Sequence, residues 1–158
     1  MYWTRYDLGS IHKAGMDGSY PHTLVTGLGQ PRGVTIDMAS GRLYWAELNS
    51  HQIQSSDLDG RDVRLVVQLP TGSWSWGVAA SSDRLYWGND GDYKLQSSTK
   101  GGEDILTLYT ESNQIRQVTI LPGVHPPKKR ANDCAGRNCT TLCVLTPSSY
   151  RCLASITK

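Results

Sequence analysis

The sequence holds no phenylalanine, no cysteine before residue 134 and no apolar run that approaches 18 residues. The missing apolar run excludes a membrane-spanning helix within this chain. Helical periodicity is absent over any long window, which argues against a helix bundle. A dominant charge is lacking too: 16 basic and 14 acidic side chains leave +2, whereas a nucleic-acid partner needs a clustered basic face. The one basic cluster, Lys128-Lys129-Arg130, follows Pro126-Pro127. It reads as a solvated linker, with a heparin or membrane contact as the alternative. No HExxH or GxSxG motif occurs, and no spacing would assemble a Ser-His-Asp set. No secretory leader is visible, because Met1 runs straight into an expected strand. The expectation is a piece of a longer chain.

What is present is a repeat. Tyr2-Trp3, Tyr44-Trp45 and Tyr86-Trp87 recur at steps of 42 residues. Eight residues after each tryptophan stands an aliphatic side chain, Ile11, Ile53 or Leu95. Turn dipeptides follow in the same phase: Asp17-Gly18, Asp59-Gly60 and Gly101-Gly102. Such dipeptides between alternating runs predict hairpins with type I′ turns, whose two central residues need positive φ. A short run comes next in each period, at His22–Val25, Arg64–Val67 and Ile105–Leu108. A further run closes the period, at Gly33–Asp37, Gly77–Ala80 and Gln117–Leu121. Four short strands per period of about 40–45 residues are the blades of a β-propeller. The Gly-Val run is the innermost strand of a blade and Leu-Tyr-Trp the second. On this phasing the chain carries three blades, one of them split between its two ends.

The strand order fixes which loops share a face. Second-to-third and fourth-to-first connections lie on one side, and the tight Asp-Gly turns lie on the other. The first side gathers Arg5, Glu47, Asn89 and Asp90 from one loop set, and Arg32, Trp74, Trp76 and Arg116 from the other. Long, polar loops with aromatic and Arg anchors have the composition of a contact surface. These eight residues are the candidates for a ligand face. Trp76 precedes Gly77, so packing between blades is its competing role. Trp3, Trp45 and Trp87 stand mid-strand at equivalent places and read as core. Glu47 and Asn89 also invite a metal on the propeller axis, but the repeat already gives them a structural position. The expectation is that the protein is not an enzyme.

All four cysteines, Cys134, Cys139, Cys143 and Cys152, lie in the last 25 residues. Clustering and an even number predict a disulfide framework in an oxidising compartment. Zinc is disfavoured because there is no C-x₂-C pair and His125 is the only histidine near them. Spacing leaves all three possible pairings open. Asn138-Cys139-Thr140 is a glycosylation sequon. His12, His22, His51 and His125 have no sequence neighbour of their kind and read as ordinary surface histidines, with a pH-sensing role as the alternative.

Together the Tyr-Trp repeats, Pro31-Arg32-Gly33-Val34-Thr35-Ile36-Asp37 and Leu58-Asp59-Gly60 resemble the YWTD propeller of the low-density lipoprotein receptor family. The tail from Asn132 to Cys152 looks like the epidermal-growth-factor-like module that follows such propellers. The resemblance implies three all-β blades over 1–123, a linker over 124–133 and a partial module over 134–158. It implies pairing of Cys134 with Cys143 and of Cys139 with Cys152. It also implies an extracellular or cell-surface location, an extracellular protein ligand and no cofactor; Asp133 alone is thin support for calcium. The chain departs from the family in three ways. The fourth motif position holds Arg5, Glu47 and Asn89 where the family has an aspartate that bonds between blades. The tail has four cysteines where the module has six; the fifth would fall near Ala154 and the sixth beyond Lys158. The family's ring has six blades and this chain supplies three.

Open blades leave sticky edges, and twofold dimers are the commonest oligomers. The expectation is a homodimer that closes one six-bladed ring. Tyr2, Trp3 and Thr4 of one chain would pair with Val118, Thr119 and Ile120 of the other. An architectural spacer without its own ligand is the alternative, and a metal-dependent propeller hydrolase is a remoter one.

Overall fold

The computed structural model describes residues 1–120 and the strand residues 142–146 and 149–153. The chain divides into two compact units, Met1–Ile120 and Leu121–Lys158. The first unit is built from strands alone. Its first sheet holds β1 (Tyr2–Arg5), β2 (Ser10–Lys13) and β3 (His22–Val25), in that order. The second holds β4 (Pro31–Asp37), β5 (Arg42–Glu47), β6 (Gln52–Asp57) and β7 (Arg64–Gln68). The third holds β8 (Ser75–Ala80), β9 (Arg84–Asn89), β10 (Lys94–Thr99) and β11 (Leu106–Thr110). Every neighbouring pair is antiparallel. These are three successive propeller blades, and among the described residues the first has no innermost strand.

That missing strand is a correction to the reading of Gln117–Leu121. Residues 117–120 form no strand, and Leu121 lies outside the described residues. The reason is hydrogen bonding. A strand needs a neighbouring ladder for its N–H and C=O groups, and the second strand that would supply it, β1, begins at the other end of the arc. The segment still follows the path of an inner strand. A side chain at Gly33 would come within 2.6 Å of the Gly77 Cα, and one at Gly77 would meet the Arg116 carbonyl at 3.4 Å. Inner strands approach one another this closely only where glycine leaves the space.

The 42-residue period extends to irregularities. The ladder between second-outermost and outermost strands slips after Ile11, Ile53 and Leu95. The turns that follow are wider than the type I′ hairpin expected from Asp-Gly. Gly18, Gly60 and Gly102 have positive φ, but their preceding residues do not; the other left-handed residues are Tyr20, Asp62 and Asp104. In the second blade Gly60 N–H donates to Asp57 O at 3.1 Å, and Asp57 Oδ1 accepts from the N–H groups of Asp59 and Arg61. The Asp57 carboxylate thus organises a larger loop, as aspartate does in Asx turns. In the second and third blades an arginine clamps the loop from the strand beside it. Arg42 reaches Asp62 at 3.0 Å and Ser55 Oγ at 2.9 Å; Arg84 reaches Asp104 at 2.8 Å and Ser97 Oγ at 3.1 Å. These pairs are exposed at the carboxylate, so they fix loop geometry and add little to stability.

Side chains alternate across each strand, and the two interfaces between blades form the core. Leu43 and Trp45 of β5 pack on Ile11 and Val25 of the first blade. Tyr44 of the same strand packs the other way, with Ile53, Val67, Leu69, Val78, Leu85 and Trp87. The middle blade is covered on both faces, so Leu43 through Glu47 are all buried. Trp45 and Trp87 are wholly inaccessible, as expected from the repeat. Trp3 is only half-buried and stacks on the His12 ring at 5.4 Å. It faces away from the second blade, so nothing among the described residues covers it as Trp45 and Trp87 are covered.

One ion pair ties the second blade to the third. The Asp37 carboxylate, at the end of β4, accepts hydrogen bonds from Lys100 Nζ and Ser40 Oγ. Its own loop adds the N–H groups of Ala39 and Ser40.

The second unit contributes a hairpin of β12 (Leu142–Thr146) and β13 (Ser149–Leu153), in which Cys143 stands opposite Cys152. The cysteine side chains lie outside the described residues, and with them both disulfide pairings. So do the linker at 124–133, the Asn138 sequon and His125.

Candidate ligand-binding face

The residue before the innermost-strand glycine is Arg32 in the second blade and Trp76 in the third; Arg116 holds the same place before Gln117. Close approach of the inner strands brings these three side chains together. The Arg32 guanidinium lies 4.5 Å from the Trp76 ring centre, and the Arg116 guanidinium lies 5.3 Å from it. Arg32 also sits 4.5 Å from the Tyr6 ring. The result is a row of Tyr6, Arg32, Trp76 and Arg116, in which cations lie over aromatic rings. Each such contact is worth about 0.5–2 kcal/mol, more where water is excluded.

The row is held in place from beneath. Trp76 Nε1 donates to Asp90 Oδ2 at 3.0 Å, which fixes the ring plane. Thr4 Oγ1 donates to the Arg32 carbonyl at 2.6 Å and so anchors the mouth of β4 to the first blade. Arg116 Nε donates to Gln114 Oε1 at 3.1 Å. Arg32 itself has no carboxylate partner among the described residues, and its Nε is buried without an acceptor. A guanidinium carries five donors in a planar fork matched to carboxylate. Held between two rings, it keeps that fork without a carboxylate partner among the described residues.

The other expected site residues are placed differently. Arg5 is exposed at the rim and pairs with Asp7 at 3.0 Å. That hydrogen bond, from the Arg5 guanidinium, holds the Asp7 carboxyl below its usual range. Trp74 is exposed but stands apart from the row, while its carbonyl accepts the Asp90 N–H at 2.9 Å. Asp90 is buried and serves Trp76. Glu47 and Asn89 are buried as well, so neither is presented to a ligand. Tyr6 was not among the expected residues. It follows the degenerate Arg5 directly in the loop after the Tyr-Trp motif, and only its ring chemistry could have marked it.

The two buried motif positions use their polar groups in opposite ways. Glu47 accepts from Trp45 Nε1 at 3.3 Å, Gly29 N–H at 3.2 Å and Ser50 Oγ at 2.7 Å. Forty-two residues on, Asn89 replaces the glutamate and Asp92 replaces Ser50. The shorter amide does not reach. Trp87 Nε1, both Asn89 amide atoms and Asp92 Oδ1 are all buried without partners. Each such group costs about 1–3 kcal/mol. The double variant Asn89→Glu with Asp92→Ser copies the closed arrangement of the second blade. Its unfolding free energy in urea is expected to rise by about 1–3 kcal/mol, with an unchanged m-value. A loss of stability would show that the buried amide is better satisfied than its surroundings indicate.

On the opposite face, a cleft of about 420 Å³ opens between the second and third blades, beside Arg42, Arg64 and Lys100. Its cations are already engaged, Arg42 and Arg64 by Asp62 and Lys100 by Asp37. Among the described residues no three His, Cys, Asp or Glu side chains converge to hold a metal ion. No helix among them is long and apolar enough to cross a membrane.

Comparison with known proteins places this geometry. No family model matches the chain. The vitellogenin receptor of Solenopsis invicta is 44% identical over 71 residues, covering 42% of this chain and 4% of the receptor. Low-density lipoprotein receptor-related protein 5 of Mus musculus is 42% identical over 57 residues, covering 36% of this chain and 4% of the relative. The matches thus span a small fraction of these relatives' length. Among solved structures, a chain of a nidogen/laminin complex superposes with a TM-score of 0.70 at 27% identity, over 77% of this chain and 48% of that one. A virginiamycin B lyase from Staphylococcus aureus superposes with a TM-score of 0.57 at 23% identity, which is likeness of fold alone.

Proposed function

We propose, for a chain whose repeats are those of the low-density lipoprotein receptor family's YWTD propeller, that it works as an extracellular protein-binding module rather than as an enzyme. Its ligand face is the row of Tyr6, Arg32, Trp76 and Arg116. The observation that carries the reading is Arg32, stacked between Tyr6 and Trp76 with no carboxylate partner among the described residues. A partly desolvated guanidinium in a rigid aromatic frame suits a carboxylate side chain of a protein ligand. The bidentate geometry gives direction, and the stacked rings remove the entropy cost of ordering the arginine. Arg116 adds a second positive charge beside the same ring.

The module is also read as half of a ring. Two copies related by a twofold axis would close six blades and set two such rows around one central mouth. Support comes from the extent of the structural likeness, which reaches 48% of the nidogen-complex chain, and from Trp3 on the first blade, which is less covered than Trp45 and Trp87.

The test uses a decaglutamate peptide as the probe, with decalysine as control, in a tryptophan-fluorescence titration of the full chain. Decaglutamate is expected to bind and decalysine to fail. Arg32→Gln should weaken the binding by about tenfold or more, the loss of about 1.4 kcal/mol or more expected for a central anchor. Trp76→Leu should act similarly. Equal, weak response to both peptides, unmoved by either variant, would sink the anion reading and favour a spacer without its own ligand.

A further inference from the structure

We infer that the two bare faces of the half-ring are complementary to each other, and that Trp3 of one copy seats on Leu95 and Tyr109 of a second. This rests on the ring-closure reading above and names the residues that make it. The chain is internally repetitive. It carries three tryptophan faces, at Trp3, Trp45 and Trp87, and three sockets. A socket is the aliphatic residue eight positions after the tryptophan together with its cross-strand partner. The register gives Ile11 opposite Val25, Ile53 opposite Val67 and Leu95 opposite Tyr109.

Two of the three tryptophans are already seated. Trp45 packs with the Ile11–Val25 socket and Trp87 with the Ile53–Val67 socket, each on the preceding blade. The seated members are almost inaccessible: Trp45, Trp87, Ile11 and Ile53 are at 0%, Val67 at 2% and Val25 at 8%. The unmatched members are Trp3 at one end of the arc and Leu95 with Tyr109 at the other, and all three are only half-buried. One chain cannot join its own ends, because three blades lie between them. A second copy, turned about a twofold axis, offers its socket to the first tryptophan and its tryptophan to the first socket. The same contact then forms twice, which is what closure of a cyclic dimer demands. His12 stacks on Trp3 and accompanies it into the contact. The inner edge of β1, with no strand beside it among the described residues, would receive residues 117–120 of the same neighbour.

The contact pairs unlike surfaces, so it can be tested by charge exchange. Wild-type protein should sediment at about twice 17.4 kDa. Trp3→Glu and Leu95→Arg should each sediment as monomers. Mixed in equal amounts, the two variants should recover the dimer. One contact of the mixed dimer is native, Trp3 on Leu95, and the other sets the introduced glutamate against the introduced arginine. Unfolded variants cannot recover in this way, so recovery separates lost contact from lost fold. A wild-type monomer at every concentration removes both the seat and the ring. A dimer that both variants retain removes the seat and leaves the ring standing. If the mixture stays monomeric, hydroxyl-radical labelling of the wild type decides. Trp3 and Leu95 must both gain protection as concentration rises into the dimer range, and a dimer that protects neither overturns the inference.

Discussion

Replacing Trp45 by alanine is expected to cost the first unit about 3–5 kcal/mol, the range for deleting a fully buried large aromatic side chain. Trp45 is wholly inaccessible, packed between Leu43 on its own strand and Ile11 and Val25 of the preceding blade. Its indole N–H also satisfies Glu47, so truncation removes a donor from a buried carboxylate as well as opening a cavity. A marginally stable domain has about 5–15 kcal/mol in all, so this one change approaches the threshold for folding. The internal control is Trp3→Ala. Measured at concentrations where the protein is monomeric, it should cost far less, because Trp3 is only partly covered in the single chain. Urea melts of the two variants, compared at equal protein concentration, check the contrast. Equal losses would mean that Trp3 is as enclosed as its two repeats.

Asp37→Asn is expected to remove about 2–3 kcal/mol and to flatten the acid limb of the stability curve. The Asp37 carboxylate is 5% exposed and its Lys100 partner 20%. Removing one member of a buried pair leaves the other's charge uncompensated. The loss stays at or below the low end of the range for buried pairs because Lys100 keeps a fifth of its side chain in water. Burial alone would push the Asp37 carboxyl up, but the hydrogen bonds from Lys100 and Ser40 outweigh it and hold it below the ordinary value. A depressed folded value fixes the sign. The contribution is fully present above the unfolded carboxyl's pKa of about 3.9 and is lost as pH falls through the lower, folded one. Wild type should therefore lose stability below about pH 4 more steeply than the asparagine variant does. Thermal melts between neutral pH and strong acid test this, and parallel acid limbs would show that the pair is not charged in the folded state. The pair bridges two blades, so the variant should also lower the cooperativity between them.

Much of the architecture was legible because blades are local objects. A strand needs alternating side chains, a turn needs a residue tolerant of left-handed backbone, and both are written within a few neighbouring residues. The 42-residue phase of Tyr-Trp, of Ile11, Ile53 and Leu95, and of Gly18, Gly60 and Gly102 carried over intact into strands, ladder slips and turns. Two local readings failed, one for a local reason and one for a long-range one. In the second blade the Asp-Gly turn widened because the Asp57 carboxylate bonds two backbone N–H groups and stabilises a longer loop. Residues 117–120 formed no strand because inner strands depend on a partner that this chain places at its far end.

The candidate site was legible in part. Arg32, Trp76 and Arg116 could be singled out by their loops, since arginine and tryptophan in exposed connections are uncommon without a contact to make. Their convergence could not. It depends on the separation of adjacent inner strands, which in turn depends on Gly33 and Gly77 leaving no side chain between them. Nor could the burial of Glu47 and Asn89 be read from the loop set to which their positions assign them. Both close the end of a strand whose neighbours on either side cover it.

From the sequence alone came eleven of the propeller strands, the blade period and the resemblance to a receptor propeller. These follow from short-range chemistry, where a residue and its near neighbours settle the outcome. The tertiary structure alone decided which faces were covered, that Arg32 stacks between two rings without a carboxylate partner among the described residues and which carboxylate crossed from one blade to the next. Lys100 meets Asp37 across 63 residues of chain, and no local pattern specifies such a meeting. It is set by how one twisted sheet stacks upon another, and packing of that kind belongs to the assembled blades rather than to any segment of them.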